Sequence, residues 1–186
     1  MRLTTRSISL ALGALLTTTG ALASAPMAYA APVGGVTCHG GQARFSTKPG
    51  LGVGDRQQAF TVGGLTSGCT TTDPTSKVTA ANIQWTGTGK GSCLPGFGIP
   101  NSEGTRSVRW STPEGGVTSK VRGIGRLTST NAVFEGVVTD GAYRGKRFSA
   151  TAATNPDEIA AVLLGCLTSG VTELSLTWDT VTVAEG

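Results

Sequence analysis

A single histidine, His39, serves all 186 residues of this chain. A Ser-His-Asp triad needs a histidine base, and no G-x-S-x-G elbow accompanies this one, so the sequence offers no equipment for that chemistry. No C-x-x-C spacing occurs, which removes the usual zinc-ribbon ligands. His39 does follow Cys38, but neighbours on a strand point to opposite faces and are badly placed to share one ion. Charge is scarce as well. Only 14% of residues carry one and the net is +4, too little for the concentrated basic face that nucleic acid demands. No apolar run reaches the roughly 20 continuous residues that a spanning helix needs. Aromatics make up 5%, so the core must be modest.

What the chain has is a leader-like start, four cysteines and many turn residues. Residues 1–30 read as a secretory signal. Arg2 and Arg6 give a positive start, residues 8–16 are mostly apolar, and Ala28-Tyr29-Ala30 places small residues at the positions a signal peptidase reads. Cleavage is expected before Ala31. That leaves one domain over 31–186, and losing the two arginines takes the net charge from +4 to +2. The expected location is outside the cell, free or attached to the wall, with no membrane span after cleavage.

Cys38, Cys69, Cys93 and Cys166 all lie beyond the leader. An even count in a secreted chain favours disulfides. Residues 36–69 carry two alternating runs about the Pro/Gly-rich centre 48–55. Folded there, they form a hairpin whose midpoint falls between Val53 and Gly54, which brings Cys38 opposite Cys69. Cys93 then pairs with Cys166.

Thr- and Val-rich alternating segments separated by turns rich in Gly, Pro, Asn and Asp read as about eight strands. Ile83 and Trp85 mark the core side of 77–91. Residues 106–128 form a hairpin about Pro113-Glu114-Gly115-Gly116, with Val108 facing Val121 and Trp110 facing Ser119. Asp140-Gly141 is a strong turn signal. Residues 94–105 hold Pro95, Gly96, Gly98, Pro100, Asn101 and Gly104, and read as a long surface loop anchored at Cys93. Asn155-Pro156-Asp157-Glu158 starts one short helix, with Ile159, Val162 and Leu163 sharing a face and Gly165 closing it before Cys166. In the last strand Leu174, Leu176 and Trp178 share one parity while Val181 and Val183 share the other, so a bulge near Asp179-Thr180 is expected. The expected fold is an all-β, disulfide-braced antiparallel β-sandwich, immunoglobulin-like or a small barrel, with one short helix near the C-terminal end.

Val36-Thr37-Cys38, Pro49-Gly50-Leu51, Cys69 followed by Asp73-Pro74, Cys93 and Cys166 resemble a group of small secreted two-disulfide β-rich proteins of actinobacteria. The resemblance implies an extracellular β-sandwich and brings no catalytic residues with it. Enediyne-binding apoproteins are also secreted and doubly bridged, but their disulfides close short loops and these close long ones, so that ligand does not carry over.

Gly87-Thr88-Gly89-Lys90-Gly91-Ser92 lacks phosphate-loop spacing and reads as a Gly-rich strand end. The eleven acidic residues scatter over turns and a helix start, with no pair arranged for glycoside hydrolysis. No catalytic residue, metal ligand or cofactor is expected. The functional signal is a basic bias: Arg109, Lys120, Arg122, Arg144, Lys146 and Arg147 fall in one span, the first three opposite in parity to Val108 and Trp110. Such a face suits an anionic cell-wall polymer or an extracellular protein. The alternative is a hydrolase inhibitor that presents the braced loop 94–105 to a protease.

Overall fold

The computed structural model describes residues 34–74, 76–94 and 96–186. The expected leader and cleavage point, and the side chain of Ile159, lie outside the described residues. Eight strands follow one another in an antiparallel meander: β1 Val36–Leu51, β2 Arg56–Thr71, β3 Ala80–Ser92, β4 Gly98–Thr112, β5 Gly115–Leu127, β6 Asn131–Gly141, β7 Arg147–Thr154 and β8 Val171–Ala184. Each pairs with the next, and β8 pairs back onto β1. Val36 lies opposite Val183 and Phe45 opposite Leu174. That last ladder corrects the expected sandwich. Two packed sheets would leave edges, whereas here the sheet closes on itself and none of the eight described strands keeps an unpaired edge.

Inward residues fill the barrel. Trp85, Trp110, Trp178, Phe45 and Phe148 are all essentially without solvent contact. Phe60, Trp85, Phe134 and Trp178 run edge-to-face across the interior, with ring centroids 4.3–5.9 Å apart. The void among Phe45, Phe60, Trp85, Ile99, Phe134 and Leu176 is about 10 Å³, no more than one water needs. The barrel is therefore packed, unlike the ligand-holding barrels with an open mouth.

So few strands can hold indoles this large because glycine faces them. Gly87, Gly104, Gly123 and Gly136 lie in one cross-strand row from β3 to β6. A Cβ on Gly104 or Gly125 would overlap the Trp85 indole. The same row admits Arg106, which points inward and is 3% exposed. Its guanidinium sits 4.3 Å from the Trp85 ring centroid and 5.3 Å from that of Phe148. Its Nη1 donates to the Glu135 carbonyl at 3.2 Å and its Nη2 to the Ile124 carbonyl at 2.6 Å. Burial pulls its pKa down to about 10, which still leaves it charged at neutral pH.

Each pole of the barrel carries one disulfide. Cys38–Cys69 joins the start of β1 to the end of β2, and Cys93–Cys166 ties the β3–β4 connection to the helix. Both expected pairings hold, and two bridges fit an oxidising environment. At the first pole Tyr143, on the β6–β7 turn, is buried against Trp110 at 5.4 Å and its hydroxyl meets Ser76 Oγ at 3.3 Å. Burial raises the Tyr143 phenol above its ordinary value. The neutral form is thus favoured by folding. The stability this contributes is complete below the unfolded pKa and fades as pH rises through the higher folded one. A Tyr143→Phe variant is expected to lose less stability than wild type between neutral pH and the alkaline range beyond pH ~10; equal losses in paired thermal melts would refute this.

At the second pole, a 3-10 turn at Pro156–Glu158 leads into α1, Ile159–Leu167. Asn155 Oδ1 accepts the Asp157 amide at 3.1 Å, as the sequence suggested for a helix start. The helix does not stop at Gly165. It runs through Cys166 and closes on Gly170, whose amide donates to the Gly165 carbonyl at 2.8 Å with φ +83°. Leu163 is exposed and Val162 half-buried, so they do not share one packed face.

Other expectations hold or shift by small amounts. Ile83 and Trp85 face the core, and the last strand carries the expected bulge: Thr180 pairs with Thr151 and Trp178 with Ala152, which leaves Asp179 extra. The 106–128 hairpin turns one residue earlier than predicted. Thr112 faces Gly115, so Val108 meets Ser119 and Trp110 meets Val117. Residues 98–105 are strand, not loop. Pro100 is accommodated at an irregularity between Ile99 and Ser102, where a missing amide costs little.

Candidate binding face

The six basic residues singled out in the sequence do not form one patch. Arg109, Lys120 and Arg122 do point outward from β4 and β5. Lys120 is paired with Asp140 at 3.2 Å, which with the Gly141 amide holds that exposed carboxyl below its ordinary value. Arg144 sits in the β6–β7 turn. Lys146 is drawn away to the segments flanking β1 and β8, where it binds the Gly34 carbonyl and Glu185, the latter at 2.7 Å. Arg106, from the same stretch of sequence, is inside the barrel.

What register does assemble is a band across β4 to β7. Arg122 faces Val137, and Val137 faces Arg147. One step along, Glu103 faces Ile124, Ile124 faces Glu135, and Glu135 faces Ser149. A basic row and an acidic row thus lie side by side, with the exposed apolar residues Val137 and Ile124 in their middles. Between them is a shallow depression of about 580 Å³ floored by Gly104 and Gly123 and rimmed by Glu103, Thr105, Arg122 and Thr139. The glycine row shapes both surfaces at once, admitting the indole inside and dipping the sheet outside.

A second depression, about 470 Å³, lies by Gln42, Arg44, Leu65 and Ser175. Its charged groups are already engaged: Arg44 pairs with Glu173 at 3.3 Å, and Glu158 accepts the Ser175 amide at 3.0 Å. Arg122 and Arg147 make no ion pair among the described residues, so the β4–β7 band has more to offer a partner.

The band itself offers carboxylates, guanidiniums and aliphatic side chains. His39 is exposed on β1, with Cys38 buried on the opposite side. Among the described residues no three His, Cys, Asp or Glu side chains group as metal ligands. Eight aromatic side chains are buried in the core and Phe97 is half-buried, so the described outer face gives sugars or bases no ring to stack on. The acidic row was missed from the sequence because Glu103 and Glu135 are 32 residues apart and meet only through β5. The even spacing of Gly87, Gly89, Gly91, Gly104, Gly123 and Gly125 on inward parities was the available signal for a crowded interior. No family model, curated protein or solved structure matches the chain.

Proposed function

We propose that this is a secreted, non-catalytic binding protein that engages another extracellular protein through the outer face of β4–β7. The observation that carries the reading is the pairing of exposed Ile124 and Val137 with flanking rows of opposite charge. Protein interfaces bury an apolar centre within a mixed polar rim. A polyanion such as a cell-wall polymer would meet Glu103 and Glu135 beside Arg122 and Arg147, and like charges across an interface disfavour binding. The packed interior directs recognition to the outside, and two disulfides suit a protein working in an oxidising medium. The inhibitor alternative rested on a long braced loop over 94–105, of which residues 98–105 belong to β4.

The test sets protein against polymer. The oxidised protein is incubated with stripped cell walls and, separately, with the extracellular proteins of the producing culture. Retention by the proteins at moderate salt, reduced about tenfold or more in Ile124→Glu/Val137→Glu, is expected. Retention by stripped walls that is abolished by salt and indifferent to those substitutions would overturn the proposal in favour of a polyanion ligand.

A further inference from the structure

Helix α1 reads Ile-Ala-Ala-Val-Leu-Leu-Gly-Cys-Leu and carries no charged or strongly polar side chain. An amphipathic surface helix would place a polar face toward water. Here Val162 and Cys166 turn to the barrel, and Leu163, Leu164 and Leu167 turn away from it. Two further apolar side chains are exposed at the same pole. Val53, on the β1–β2 connection, bridges to Leu94, and Leu94 follows Cys93, which is bonded to Cys166 on α1. The five range from 39% to 68% exposed.

We infer that this pole is a self-association surface, joining two copies of the chain about a two-fold axis through α1. At about 100 Å² of apolar surface for a whole aliphatic side chain, scaled by these exposures, the five present on the order of 300 Å². A standard interface buries about 800 Å² per partner, somewhat over half of it apolar. The patch therefore supplies roughly two-thirds of the apolar share of one ordinary interface. An isologous contact sets each patch against itself, which suits a surface that buries no unmatched charge on either side. A lipid surface fits less well. Helices that lie on membranes carry Lys and Arg along a polar face, and α1 has none. The strand ends around the pole offer Lys48, Arg56 and Lys90 but also Asp55, Asp157 and Glu158, so no net basic ring favours anionic lipid. The β4–β7 face lies on the barrel wall away from this contact. A dimer would present it twice, which strengthens binding to any partner that displays two sites.

Sedimentation of the oxidised protein over a roughly hundred-fold concentration range tests this. The expected result is a monomer–dimer equilibrium that Leu164→Glu/Leu167→Glu shifts toward monomer by at least roughly 100-fold, with the thermal midpoint of the variant monomer little changed because both side chains are exposed. Leu164→Cys should also form a dimer-specific disulfide on mild oxidation. A protein that stays monomeric throughout, or a dimer unaffected by the double substitution, would overturn the inference. So would a monomer that binds phosphatidylcholine/phosphatidylglycerol vesicles through these leucines.

Discussion

Removing both disulfides is expected to leave the chain largely unfolded at physiological temperature. Cys38–Cys69 closes a separation of 31 residues and Cys93–Cys166 one of 73. On the loop-entropy account such bridges contribute about 3.5–4.5 kcal/mol each, and the net stability of a domain is only about 5–15 kcal/mol. The two losses differ in kind. The shorter bridge crosses a ladder that already pairs β1 with β2, so its loss should lower the midpoint with cooperativity intact. The longer one fixes α1, whose other contacts with the barrel among the described residues include the half-buried Val162 and the turn at Gly170. A Cys93→Ser/Cys166→Ser variant should lose about 10–15 °C in thermal midpoint and, ahead of global unfolding, show fast amide exchange over α1 with β1–β8 still protected. A variant that melts with the wild type would contradict this placing of the bridge.

The second large effect is expected at Arg106. An arginine buried among Trp85, Phe134 and Phe148 has no carboxylate partner in the described structure, and its stabilisation comes from three ring faces and two carbonyls. Arg106→Ala removes all of these and opens a void beneath Trp85, for a loss of about 3–5 kcal/mol. Arg106→Met refills much of the volume without the desolvated charge, and should cost no more than about 1–2 kcal/mol. Urea unfolding of the pair measures the difference. Equal losses would mean that the interior relaxes freely around this position, which a glycine-lined, close-packed barrel should not do.

Strand-by-strand features were legible because they rest on local chemistry. The bulge at Asp179 follows from a change of parity within β8, and the Cys38–Cys69 bridge follows from hairpin symmetry. Closure was not legible. Whether β8 finds β1 depends on a contact between the two ends of the domain, and alternation reads the same in a sandwich and a barrel. The Pro100-Asn101 stretch reads as loop in the sequence because turn residues in a bulged strand look like turn residues anywhere. The binding face was half legible. Parity placed Arg109, Lys120 and Arg122 outward, but only register shows that Arg122, Val137 and Arg147 make one row and that Glu103 and Glu135 make the next. The exposure of α1 was hidden for the same reason: apolar residues in a short helix read as core until the barrel beneath it is seen to be full already.

Binding through the β4–β7 face is tested most directly by a photo-crosslinking residue at position 137, in the centre of the band, with a control at Thr61, on the outer face of β2. With the oxidised protein in the medium of the cells that make it, position 137 should yield a discrete protein adduct that Arg122→Glu diminishes, and position 61 should not. Adducts to wall polymer alone, or equal labelling from both positions, would contradict a protein-binding face on this side of the barrel.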